Sequence, residues 1–181
     1  MEIYQQMTRA IYPASFDPIT FGHVDIATRA AALFEELVVA VYDRPSKSLL
    51  FSPAERWQMA RDALADLPNV RVERYTGLTV QFARQRDARV IVRGLRVLSD
   101  FEWEFQFALN NRKLDSDVDT VCLMASQEYS FLSSSMVKEI AFANGDVSGM
   151  VPPHVAEALR AKVRAMGGDG ESKVKLVSLR D

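Results

Sequence analysis

His23 closes the stretch Tyr12-Pro13-Ala14-Ser15-Phe16-Asp17-Pro18-Ile19-Thr20-Phe21-Gly22-His23. Ala10 to Tyr12 is a short apolar run that reads as a strand, the prolines mark a turn, and Gly22-His23 opens an amphipathic helix. A strand that ends in a tight loop and a helix N-terminus is suited to holding phosphates. The first helical turn offers unpaired N–H groups and a partial positive charge. Ser15 adds a hydroxyl at the strand end, and Gly22 lets a ligand approach the backbone closely. The loop is neither a Walker A motif nor a G-x-G-x-x-G fingerprint. Taken alone, it is equally a helix start with a solvent-facing histidine.

Three other clusters bear on that choice. Arg93-Gly94-Leu95-Arg96 stands just past a buried strand, and guanidinium forks match phosphate oxygens; the bland alternative is a pair of surface salt bridges. Lys47 follows another buried strand in a Pro45-Ser46-Lys47 turn, where a lone lysine is ordinarily just solvated. Ser133-Ser134-Ser135 supplies hydroxyls at a helix start, and capping alone needs only one serine. Each signal is ambiguous singly. Together they place His23, Lys47, Arg93, Arg96 and two helix N-termini on one rim, which points to a polyphosphate ligand. The other histidine, His154, reads as a surface or capping residue. Cys122, the single cysteine, reads as a buried strand residue, and Met124 and Met136 as core or pocket lining. One cysteine and two histidines cannot form a zinc site unless carboxylates carry most of it; no protein metal ligand is expected.

These groups need a scaffold at the carboxyl ends of strands. Strands are expected at about 9–12, 37–42, 70–75, 90–92 and 120–124. Helices are expected at about 22–34, from Ser52, at 79–86, 99–113 and 134–143, and from Pro152-Pro153 onward. The run Leu37 to Tyr42 suits a strand buried on both faces, whereas Val70 to Tyr75 alternates as an edge strand does. Ser52-Pro53-Ala54-Glu55 and Ser99-Asp100-Phe101-Glu102 read as capping boxes. Trp57, Ala60, Leu64 and Leu67 form one inner stripe, and Val155, Leu159 and Met166 another. Alternating β and α elements predict an α/β fold: a Rossmann-like, doubly wound, five-stranded parallel sheet with a C-terminal helical extension. Residues 1–8 are expected as an N-terminal extension, 9–166 as one domain, and 167–181 as a tail in which Val174 to Leu179 alternates weakly. The net charge is −2 with 25% charged residues, which argues against a general nucleic-acid binder. No apolar run approaches membrane-spanning length and no signal pattern opens the chain, so a cytoplasmic protein without a membrane partner is expected.

The Tyr12-to-His23 stretch, Arg93-Gly94-Leu95-Arg96 with Asp100-Phe101-Glu102, and Ser130-Phe131-Leu132-Ser133-Ser134-Ser135 together resemble the bacterial phosphopantetheine adenylyltransferase family. This family belongs to the nucleotidylyltransferase superfamily marked by T/H-x-G-H. The similarity covers about residues 8–165. It implies transfer of AMP from ATP to 4′-phosphopantetheine with Mg²⁺, giving dephospho-coenzyme A and pyrophosphate, in a homohexamer. By the same resemblance His23, Lys47 and Arg96 are catalytic. Ser15, Phe16, His23, Gly94, Leu95, Arg96, Glu104 and the segment Tyr129, Ser130, Phe131, Leu132, Ser133, Ser134, Ser135 line the ATP site. Ser15, Lys47, Thr79 and Arg93 meet the acceptor. The chain departs from the family's usual pattern at Ala14 (commonly glycine), Ser15 (threonine), Thr79 (an apolar residue) and Tyr129 (tryptophan). Rival readings are an adenylyltransferase for another acceptor, such as nicotinate mononucleotide, and a nucleotide-binding module without turnover.

Overall fold

The structure is a computed structural model that describes residues 9–45 and 48–166. The expected extension 1–8, the tail 167–181 and Lys47 lie outside the described residues. Five strands, β1 (Arg9–Ala14), β2 (Glu36–Tyr42), β3 (Val70–Tyr75), β4 (Val90–Leu95) and β5 (Asp119–Met124), alternate with six helices. These are α1 (Phe21–Leu33), α2 (Pro53–Ala63), α3 (Thr79–Gln85), α4 (Leu98–Leu114), α5 (Ser134–Phe142) and α6 (Pro153–Ala165), with a 3₁₀ turn at Gln127–Tyr129 before α5. All strand pairs are parallel, in the order β3-β2-β1-β4-β5. The chain winds outward from β1 to one edge, then returns to β4 on the other side. The carboxyl ends of β1 and β4 therefore flank the topological switch point, where an open parallel sheet leaves a crevice.

Helices cover both faces, which makes the sheet doubly wound. On one face α1, α2, α5 and α6 pack on Ala10, Tyr12, Leu37, Val39, Val41 and Val92. On the other, Val80, Phe82 and Ala83 of α3 pack on Ile11, Val38, Ala40 and Ile91. β2 is apolar without alternation because Leu37 to Val41 lie between both layers. β3 is an edge strand, as its alternation requires. The C-terminal helical extension is part of the core: Val155, Ala156, Leu159 and Val163 of α6 are buried in the same cluster as α1 and α2. His154 is structural, its Nε2 lying 3.0 Å from the Met59 carbonyl.

Several local expectations need correction. β1 and β4 run further than their apolar cores, so Arg93 and Gly94 are strand residues instead of lying past the strand. The Ser52–Glu55 capping box is present, with Pro53 in the first turn. The expected start at Ser99 is displaced: α4 begins at Leu98 after Val97, which makes no side-chain cap. Asp100 instead turns back to the Arg96 amide and guanidinium. α2 stops at Ala63, so Leu67 packs on the core from beyond the helix. The α6 stripe ends at Val163, and Met166 is exposed. Cys122 is exposed because β5 is the second edge and α4 covers it incompletely. Met124 and Met136 are likewise exposed.

Truncating Leu159, which is fully buried, should cost about 2–5 kcal/mol of stability through lost transfer energy and a residual cavity. Leu33→Ala on the exposed side of α1 should change stability by no more than about 0.5 kcal/mol. Urea unfolding of the two variants measures this; equal small effects would mean that α6 is not part of the cooperative core.

Candidate active site

A cavity of about 790 Å³ opens at the switch point, within the range of about 300–1,000 Å³ usual for small-molecule sites. Its floor is formed by Tyr12, Pro13 and Ala14 of β1 and by Ile91, Arg93 and Gly94 of β4. Burial pushes the Tyr12 phenol well above its ordinary value, outweighing the nearby arginines, so it stays protonated. His23 stands on one rim. Thr20 caps α1, and the cap is reciprocal. The His23 amide donates to Thr20 Oγ1, and the Thr20 amide donates to His23 Nδ1 at 3.0 Å. An Nδ1 that accepts a main-chain hydrogen bond carries no proton, so the neutral ring holds its proton on Nε2. The ring also packs edge-on against Phe16, centroids 5.1 Å apart. A Cβ at Gly22 would make only ordinary contacts, 3.6 Å from Tyr129 Cβ. A Cβ at Gly94 would press on Ile26 at 3.1 Å, so that glycine is set by the seating of α1 on β4.

The two arginines are already engaged. Arg93 makes a two-pronged pair with Glu104 of α4, with Nε to Oε2 at 2.7 Å, and donates to the Pro13 carbonyl. Burial acts to lower the Arg93 guanidinium, but the Glu104 pair outweighs it and holds it above its ordinary value. Arg96 spans from Asp100 to the Leu132 carbonyl at 3.0 Å, joining the start of α4 to the approach of α5. Burial acts to raise Asp100; the Arg96 guanidinium and amide prevail and hold its carboxyl below the usual range. Across the cavity Ser133 caps α5 by accepting from the Met136 amide, and Ser134 donates to the Pro18 carbonyl at 2.8 Å. Ser135 also lines the cavity.

The cavity wall brings together Ser15, His23, Thr79, Arg93, Gly94 and Arg96, with Glu104, Tyr129, Leu132 and Ser133 to Ser135. Phe16, Leu95, Ser130 and Phe131 lie outside that wall: Phe16 and Leu95 are buried in the core, and Phe131 is exposed. The wall also includes residues that sequence reasoning did not single out, among them Tyr42, Tyr75, Asn110, Asn111 and Leu114. Asn110, Asn111 and Leu114 come from the far end of α4, where a helical repeat from Glu104 through Phe107 could have indicated them.

Behind the wall is a buried polar layer. Asp17, 1% exposed, accepts from the Leu50 and Phe51 amides and from Lys138 Nζ at 2.7 Å. Arg56, fully buried, donates to the carbonyls of Ser15, Tyr42, Asp43 and Phe51. Asp25 takes both the amide and the hydroxyl of Ser126, fixing the 3₁₀ turn before α5 onto α1. Among the described residues no three His, Cys, Asp or Glu side chains converge on a metal position. No described helix is long and apolar enough to cross a membrane. The arrangement can bind a phosphate chain between two helix starts and donate a hydrogen bond from His23 to it.

The chain is similar to known proteins over most of its length. The family model described as cytidylyltransferase-like matches residues 11–140. A phosphopantetheine adenylyltransferase of Herpetosiphon aurantiacus is 56% identical over 154 residues, covering 85% of this chain and 93% of the relative. The one from Synechococcus elongatus is 57% identical over 150 residues, covering 83% and 90%. A solved nicotinic acid mononucleotide adenylyltransferase of Plasmodium falciparum, complexed with NaAD, superposes with a TM-score of 0.64 at 15% identity, covering 85% of this chain and 95% of that one. At that identity it speaks for the Rossmann-like fold alone.

The Arg96–Asp100 contact has a pH signature. A carboxyl whose folded value is depressed adds stability that is present at neutral pH and lost as acid protonates it. Asp100→Asn should therefore lower stability at pH 7, and the gap to wild type should close as pH falls below about 4. Urea midpoints taken across that range test this; a gap that does not vary with pH would remove Asp100 from the account.

Proposed function

The chain belongs to the cytidylyltransferase-like family and, within it, to the phosphopantetheine adenylyltransferases, and from that membership we propose how its site performs the transfer. The protein is an adenylyltransferase that moves AMP from ATP to 4′-phosphopantetheine, giving dephospho-coenzyme A and pyrophosphate. The observation that carries the mechanism is the Thr20–His23 cap, which presents an N–H donor beside a helix N-terminus.

The acceptor phosphate is ionised at neutral pH, so the attacking group needs no strong base. One of its oxygens bonds to the α-phosphorus as the bond to the β-phosphate oxygen breaks, and pyrophosphate leaves. Negative charge grows on the α-phosphate oxygens, and the protein's task is to position the reactants and offset that charge. His23 Nε2–H donates to an α-phosphate oxygen. The first turns of α1 and α5, with Ser15 and the serines of α5, hold the phosphate chain. Arg96 supplies positive charge from the α4 side. Lys47, from the loop after β2, and Arg93 receive the acceptor phosphate. Arg93 does so while its Glu104 pair keeps it oriented. Tyr129 lies beside Gly22 on the nucleotide side, and Thr79 beside the acceptor. Magnesium is hard and keeps water and substrate phosphates as ligands. With no carboxylate cage among the described residues, it would be held by the ATP phosphates. It would add charge neutralisation there.

The protein is read as cytoplasmic and without nucleic-acid partners, in keeping with its net charge of −2. The homohexamer that the family resemblance implies would give α4 a partner surface. Phe101, Trp103, Phe105, Phe107 and Leu109 are each more than half exposed, and Met124 of the edge strand β5 is exposed as well. Five large apolar side chains left exposed on one helix mark a surface that another chain covers.

With Mg-ATP and phosphopantetheine the protein should release pyrophosphate, and with nicotinate mononucleotide it should not. Absence of release from the folded enzyme would refute the assignment. His23→Ala should cut kcat by two orders of magnitude or more while changing ATP affinity little, since one lost transition-state donor costs about 3 kcal/mol. Steady-state kinetics beside calorimetric ATP titration test the split. Light scattering should give six times the 20.3 kDa chain mass; a monomer would leave the α4 face unexplained.

A further inference from the structure

Arg56 touches neither cavity nor solvent, yet it is the largest of the fully buried side chains. Its planar fork meets carbonyls on every side. Nε donates to Phe51 O at 3.2 Å, one terminal nitrogen to Ser15 O and Tyr42 O, and the other to Asp43 O at 3.2 Å. These oxygens belong to the turn after β1, the end of β2 and the residue that follows it, and the segment before the Ser52 cap of α2. One side chain therefore joins both loops that descend toward the phosphate rim. Lysine could not replace it, because three donors on a single tetrahedral nitrogen cannot reach four dispersed acceptors.

The bond to Ser15 has a directional consequence. In a planar trans peptide the C=O and the following N–H point in opposite directions. Ser15 C=O is turned into the core by Arg56, so the Phe16 N–H is turned the other way, toward the side where Ser15 lines the cavity. Phe16 also has φ 48°, a left-handed conformation that a bulky residue rarely adopts. Its ring is buried and wedged between Tyr12 and His23. The turn is thus held in a disfavoured backbone shape from two sides, by the Phe16 ring and by the Arg56 guanidinium.

We propose that Arg56 is a positioning residue for adenylyl transfer, setting the Ser15–Phe16 peptide so that its N–H and the Ser15 hydroxyl face the phosphate chain of the nucleotide. Burial lowers the Arg56 guanidinium from its ordinary value, opposed by Asp17 and Asp43, and the group stays charged. The inference rests on the adenylyl-transfer reading, but its ATP-binding arm does not depend on which acceptor is used.

Arg56→Lys keeps the charge and loses the fork. It is compared with Leu159→Ala, which destabilises the fold at a core residue that lies outside the cavity wall and makes none of the Arg56 hydrogen bonds. Arg56→Lys should weaken ATP binding, measured by calorimetry without acceptor, and lower kcat, each by about tenfold or more. Leu159→Ala should leave both unchanged. Wild-type ATP affinity and kcat in folded Arg56→Lys would overturn the proposal. Should Arg56→Lys fail to fold, the unaltered protein decides by NMR. The Phe16 amide proton should shift and become slower to exchange when a non-hydrolysable ATP analogue is added, and an unmoved resonance would overturn the proposal. If wild type binds ATP but transfers nothing to phosphopantetheine, the transfer reading fails while the binding arm still tests Arg56.

Discussion

A buried positive charge surrounded by main-chain carbonyls organises the active end of this molecule. Stripping a guanidinium of water is costly, and removing one partner from a buried ionic arrangement typically costs about 3–5 kcal/mol. Arg56 offsets that cost through four carbonyls and the nearby Asp17. Three of those acceptors, on Ser15, Asp43 and Phe51, belong to irregular segments, which have no ladder to fix them, and the fourth, on Tyr42, ends β2. Asp17 extends the arrangement through two amides of the loop before α2 and through Lys138 of α5. The loops after β1 and β2 and the start of α5 are therefore bound to one another before any ligand arrives.

In front of that layer, the site is electrically restrained. Arg93 and Arg96 each have a carboxylate partner on α4, so their charge is oriented but partly neutralised. Such pairs keep long side chains ordered and reduce the attraction of stray anions in a protein that is net acidic. The same pairs make α4 a structural arm of the site: Glu104 and Asp100 hold the arginines on one side, while the aromatic side chains of the helix remain exposed. A helix so poorly covered within its own chain owes its placement to those ion pairs and to β4 and β5 beneath it.

The sequence indicated the sheet because parallel strands buried on both faces leave continuous apolar runs, as at Leu37 to Val41, and because Val70 to Tyr75 alternates as an edge does. It indicated the rim because His23, the arginines and the serines are polar groups placed where strands end. Other features were not legible. Cys122 reads as buried, and Met124 as core or pocket lining, because an apolar run does not reveal that its strand is an edge with partial cover. Ser99 reads as a cap because spacing cannot show that α4 begins one residue earlier or that Asp100 bonds the Arg96 guanidinium. Arg56 escaped notice altogether. Its only trace is an arginine one turn before Ala60 on the buried side of α2, and its partners are carbonyls, which carry no side-chain signature. Which serine caps and which faces the ligand was equally hidden, since the three are chemically identical.

The cap on α1 has a stereochemical consequence. Because the Thr20 amide occupies Nδ1, the His23 ring has its proton on Nε2, and neither nitrogen presents a lone pair to phosphorus. On the proposed transfer, a ring held in that tautomer acts as a donor and not as a nucleophile, which favours direct displacement of pyrophosphate by the acceptor over a nucleotidyl-histidine. Such a displacement would invert the configuration at the α-phosphorus, a handedness that traces back to the way one helix begins.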